Sequence, residues 1–121
     1  MRYSDSMRIN SELWVKAYLR RCAGEGVMAV VVRHGDDRAG AIYLKINRLN
    51  GNVGLFGPAP GGVSSTYGER LFAAALKTAE VSESEADAYL IQQHQFDSDI
   101  WVIEVEDRAG RHRLDDWLAR D

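Results

Sequence analysis

The stretch Ala41-Ile42-Tyr43-Leu44-Lys45-Ile46-Asn47-Arg48-Leu49-Asn50-Gly51-Asn52-Val53-Gly54-Leu55-Phe56-Gly57 decides the fold class. In its first half Ile42, Leu44 and Ile46 alternate with Tyr43, Lys45 and Asn47, the period of a strand whose two faces meet different surroundings. Asn50-Gly51 follows, a strong two-residue hairpin signal because both turn positions tolerate positive φ. Residues 52–57 then read as the returning strand, with Val53 and Leu55 toward the core side. A hairpin therefore lies near the middle of the chain, and the flanking segments must cover it.

Upstream, residues 11–23 carry Trp14, Ala17, Tyr18 and Cys22 at helical spacing, with Val15 and Leu19 on the adjoining stripe. Asn10 or Ser11 supplies a capping oxygen. Arg20 and Arg21 suit the C-terminal dipole, and Gly24 and Gly26 end the helix. Residues 27–34 form an apolar, β-branched run that reads as a central strand, and 35–40 as a turn.

Downstream, residues 58–68 are a loop rich in Pro, Gly and Ser. Residues 69–76 suit a helix or a buried strand, and the strand fits an antiparallel meander better. Residues 82–96 read as a second helix opened by a Ser82/Glu85 capping box, with Ala86, Tyr89, Leu90 and Gln93 on its stripe. Residues 100–106 are a last strand: Trp101, Ile103 and Val105 share one face, Val102, Glu104 and Glu106 the other. Leu114, Trp117 and Leu118 mark a short amphipathic tail helix. The expected architecture is α+β, an antiparallel or mixed sheet of four to five strands. Two helices pack on one face of it, and a short C-terminal helix follows.

The chain has 121 residues, fitting one domain, expected over residues 7–112. Residues 1–6 read as a loose extension, with Met7 as an alternative start, and 113–121 as the tail. With 15 basic and 18 acidic residues the net charge is −3, which offers no basic footprint for nucleic acid. The single cysteine, Cys22, excludes an internal disulfide, and its place on an apolar stripe makes it a small buried hydrophobe. No window approaches the ~18 apolar residues of a membrane span. The polar N-terminus is unlike a signal peptide, so the expected compartment is the cytoplasm.

Motifs for chemistry are sparse. His34, His94 and His112 lack the spacing of a helical metal site. The run Gly57-Pro58-Ala59-Pro60-Gly61-Gly62 continues as Val63-Ser64, so it lacks the Lys-Ser/Thr of a phosphate loop. Ser64, Ser65 and Thr66 have no neighbouring base in sequence. The most suggestive group is Glu104 and Glu106, two carboxylates on one strand face ~7 Å apart, with Lys45 on a strand that can face them. The bland account of these three is a solvated ion pair; the sharper one is a divalent-ion site in a hydrolase. The acid two residues before the lysine that a metal-dependent nuclease uses is here Tyr43.

The segments Met7 to Arg21, Gly40 to Leu49 with Gly57-Pro58-Ala59-Pro60, Glu85 to Leu90, and Phe96 to Asp107 together resemble domain-of-unknown-function family 1491, small alphaproteobacterial proteins. The resemblance spans residues 7–114 and implies no assigned activity, cofactor or catalytic residue. The reading of the sequence is therefore a non-catalytic binding or protein-interaction domain without cofactor or metal. The alternative is a metal-dependent hydrolase using Glu104, Glu106 and Lys45. The tail stripe, with Trp117 as its anchor, is expected to dock on the protein's own sheet or first helix, or else on a second copy or another protein.

Overall fold

A computed structural model describes residues 10–60 and 70–119. Helix α1 (Ser11–Gly24) leads to strands β1 (Met28–Arg33), β2 (Ile42–Asn47), β3 (Asn52–Pro58), β4 (Phe72–Ala74) and β5 (Val81–Ser82). Helix α2 (Glu83–Phe96) and strand β6 (Trp101–Glu106) follow, then a single 3₁₀ turn, Asp115–Trp117. The expected extension at 1–6 and most of the Gly-rich loop, with Ser64, Ser65 and Thr66, lie outside the described residues, as do residues 120–121.

The sheet is mixed and six-stranded, in the order β1-β6-β2-β3-β4, with β5 paired to β3. Among the described strands β2 and β6 pair in parallel; α2 carries the chain back over the sheet between them. Asn10 caps α1, its Oδ1 accepting from Leu13 N–H at 2.9 Å, while Ser11 Oγ donates to the Gly40 carbonyl. Ser82 caps α2 by accepting from Glu85 N–H at 3.2 Å. The hairpin turn departs from the two-residue form. The ladder closes at Arg48 and Asn52, so Leu49, Asn50 and Gly51 form the loop, and positive φ falls at Leu49 and Gly51. Asn47 and Asn50 set this geometry by accepting from Leu49 and Asn52 N–H at 2.8 and 2.9 Å.

The helices lie on opposite faces of the sheet, a correction to the expected single covered face. Trp14, Val15, Tyr18 and Cys22 of α1 pack on Ile42, Leu44, Ile46, Trp101, Ile103 and Val105. Ala86 and Leu90 of α2 pack with Tyr43, Val53, Leu55, Val81, Ile100 and Val102. The physical reason is register: Lys45 is paired with Leu55 and Asn47 with Val53. The polar-looking half of β2 therefore shares its face with the apolar half of β3. Trp101 belongs to the first core and Leu90 to the second, so the sheet separates two apolar clusters.

Two more expectations are corrected. The apolar run at β1 occupies a sheet edge, not the centre, and Val31 is partly exposed. Among the described tail residues one 3₁₀ turn, Asp115–Trp117, stands where a longer amphipathic helix was expected. Leu114 is fully buried, Trp117 meets Trp14 edge-on at 5.1 Å, and the Arg21 guanidinium lies 4.6 Å above the Trp117 ring. Leu118 then bridges to Phe72, and Ala119 N–H donates to the Phe72 carbonyl at 2.8 Å. The tail thus covers the β4 edge. Of the stretch 69–76 read as a strand, β4 covers Phe72–Ala74.

Candidate functional site

Lys45 and Glu104 lie directly opposite one another in the parallel β2–β6 ladder. Helix α2 starts above them, because Glu83 N–H donates to the Gly51 carbonyl of the hairpin turn. Glu83 and Asp87, one helical turn apart, then hang over the sheet at the same point. The Lys45 side chain is 7% exposed, and its Nζ lies 2.8 Å from Glu83 Oε2, 2.8 Å from Asp87 Oδ1 and 3.6 Å from Glu104 Oε1. Asn47 Nδ2 donates to Glu104 Oε2 at 3.0 Å and ties the acids together.

Burial alone depresses the Lys45 pKa, but hydrogen bonds to Asp87 and Glu83 and the charge of Glu104 outweigh it, so the pKa is raised. A lysine held cationic, with its protons committed to carboxylates, is neither a nucleophile nor a base. What this arrangement does well is join α2 to the sheet. Replacing Lys45 with Met is expected to cost about 1–3 kcal/mol, below the usual toll of breaking a buried pair because Glu83 and Asp87 are half exposed. Chemical denaturation measures it, and an unchanged midpoint would contradict the joining role.

Of the residues singled out in the sequence, Lys45 and Glu104 come together. Glu106 shares the Glu104 face but sits exposed at the strand end; among the described residues it makes no ion pair. Glu83 and Asp87 were missed, although their i, i+4 spacing marks one helix face. Trp117 packs inside its own chain. Among the described residues no group of three or more His, Cys, Asp and Glu has a metal-binding arrangement. Millimolar divalent ions are expected to leave the melting temperature unchanged. A rise that disappears in the Glu83→Gln, Glu104→Gln double variant would instead establish an ion site there.

Beside this cluster α2 leaves part of its sheet face open. It packs over β3 and β5 and against Val102 of β6, while the edge strand β1 has no helix above it on that side among the described residues. Between β1 and α2 runs a groove of about 280 Å³, walled by Val32, Leu90, Ile91 and Val102. Lys45, Asp87 and Glu104 close one end, and Arg33 also lines it. The residues around the groove are apolar and unusually exposed: Met28 62%, Val30 50%, Val32 59% and Ile91 62%. Arg33 donates to His94 Nε2 at 3.1 Å and, among the described residues, meets no carboxylate. The β1 ladder itself is broken by a bulge between Val31 and Arg33.

The chain is similar to a DUF1491 family protein from Caulobacter crescentus CB15 known by crystallography, with 34% identity, 93% of this chain and 98% of that chain covered, and a TM-score of 0.74. It is similar to a protein from A. tumefaciens solved in solution, at 36% identity over 82% of this chain and 86% of that one, TM-score 0.70. A second DUF1491 structure from Caulobacter crescentus CB15, by NMR, shares 38% identity over 86% and 90% of the two chains, TM-score 0.69. No curated protein matches. No described helix is long and apolar enough to cross a membrane. The model of the protein family of unknown function DUF1491 matches residues 9–115, the sheet and both its helices, and the chain belongs to that family.

Proposed function

We propose that this protein is a non-catalytic interaction domain whose binding surface is the open face formed by β1 and the adjoining flank of α2. The carrying observation is the concentration of exposed apolar side chains there: Met28, Val30 and Val32 on one strand and Ile91 on the facing helix. Scattered exposed hydrophobes are ordinary, but a contiguous apolar patch rimmed by charge marks an interaction site. Lys45, the chemically most suggestive group, is saturated by its own carboxylates, which favours binding over catalysis.

A photoreactive residue placed at Val30, compared with one at Lys16 on the exposed side of α1, tests this in living cells. Discrete cross-linked species are expected from position 30 and none from position 16. Silence at both positions, or equal yields from both, would remove the proposed surface.

A further inference from the structure

The open face lies along β1 beside the exposed flank of α2. On the same side of the sheet α2 covers β2, β3 and Val102 of β6, while β1 has no helix above it among the described residues. The molecule itself carries a helix of the required kind, since α2 exposes Ile91 on the flank that borders the groove. We infer that the occupant is a second copy of this chain, in a two-fold dimer with the α2 helices antiparallel and crossing near Ile91. This rests on the interaction-domain reading and names its partner.

Three observations support that occupant. The first is area. Met28, Val30, Val32 and Ile91 together leave on the order of 400 Å² of surface in water, a typical size for a functional patch. Two copies supply about 800 Å² of apolar surface, and the polar rim carries the total to the roughly 1,000 Å² of a specific interface. The second is charge. Among the described residues Arg33 meets no carboxylate, and it sits beside His94, in the last turn of α2. An antiparallel partner helix brings its acidic first half, with Glu83, Glu85 and Asp87, to that end. The pairing is isologous: each Arg33 meets the other copy's acids.

The third observation separates face packing from edge pairing. An open edge strand commonly recruits another strand, but the bulge between Val31 and Arg33 interrupts the β1 ladder. It leaves the apolar face intact, and the face is what a helix covers.

Sedimentation across concentrations, together with cysteine cross-linking, decides the matter. The intact chain is expected to sediment at twice its monomer mass at micromolar concentration. Ile91→Glu and Val30→Glu are expected to be monomeric with an unchanged circular dichroism spectrum, since both positions are exposed. Ile91→Cys is expected to form an intermolecular disulfide under mild oxidation, whereas the wild type, whose Cys22 is buried, does not. A wild type monomeric to near-millimolar concentration overturns the dimer, as does an Ile91→Glu variant that stays dimeric. If a monomeric protein still yields a Val30-specific cross-link to a species of different mass, the dimer falls and the interaction surface stands. If Val30 cross-links to nothing, both fall.

Discussion

Truncation after His112 is expected to destabilise the fold by about 4 kcal/mol or more without changing its mass in solution. Leu114 is fully enclosed, and losing such a side chain alone typically costs about 2–5 kcal/mol. Arg113 goes with it. Its Nε donates to Glu25 Oε1 and one terminal nitrogen to Asp107 Oδ2, each at 2.8 Å, from a backbone at φ 58. A non-glycine residue in the left-handed region is sparsely populated, so these contacts must outweigh a strain of order 1 kcal/mol. Removing Trp117 also uncovers Trp14. Set against a total stability of about 5–15 kcal/mol for a domain, this loss is severe. Urea unfolding with light scattering checks both halves of the expectation. A truncated protein of wild-type stability would show that the tail does not hold the fold, and an altered mass would place its docking between chains.

The same region gives stability an acid limit. Burial pushes the His112 pKa down; Asp115 opposes this and Arg113 reinforces it, leaving the pKa lowered. Its Nδ1 accepts from Leu114 N–H at 2.9 Å, a bond only the unprotonated nitrogen can take. The unfolded chain therefore binds this proton first. The contribution is complete above an unfolded pKa of about 6.5 and falls away as the pH drops below it. Asp107 acts in the same direction at lower pH. Burial raises its pKa, but the Arg113 and Ala109 hydrogen bonds prevail and hold it below its ordinary value. Its contribution is present above the unfolded carboxylate pKa and is lost as the pH falls through the folded one. Melting temperatures between pH 7.5 and 5 should decline more gently in His112→Gln than in the wild type; equal slopes would exclude His112 as the sensor.

Trp101→Ala is expected to cost about 3–5 kcal/mol, the range for removing a large buried aromatic. The indole stands between α1 and the 35–40 turn, and its Nε1–H donates to the Asp36 carbonyl at 2.8 Å. The His34 ring lies 4.0 Å from it. Glycines let the turn close around the start of β6: a Cβ at Gly35 or Gly40 would stand 2.2 or 2.4 Å from the Asp99 carbonyl oxygen. Trp101→Phe keeps most of the volume and forfeits the hydrogen bond, so about 1–2 kcal/mol is expected there. A Trp101→Ala loss under about 1 kcal/mol, the scale of surface substitutions, would contradict this placement.

Local chemistry was enough to locate both helices and the strands β1, β2, β3 and β6. The helical spacing of Trp14, Tyr18 and Cys22, the Asn10 and Ser82 caps, and the alternation in β2 and β6 are all effects of neighbouring residues. Each was legible because period and capping act over a few positions. The family was legible as well, from the run of residues between Met7 and Leu114. In the candidate site, the sequence pointed to Lys45 and Glu104 but also to Glu106, which lies along the same strand face yet outside the lysine's reach.

Tertiary structure alone decided which face each stripe meets and which strand lies at the edge. Val30 and Val32 belong to an apolar run that locally resembles a central strand, and only the order β1-β6-β2-β3-β4 exposes them. Glu83 and Asp87 reach Lys45 across some forty residues because α2 begins over the hairpin turn. The tail's stripe became one 3₁₀ turn because Phe72, Trp14 and Arg21 were waiting for it. Period reveals that a side chain is apolar and which way it alternates. What lies on either side of it is set by strand order and register, and these are established by long-range packing.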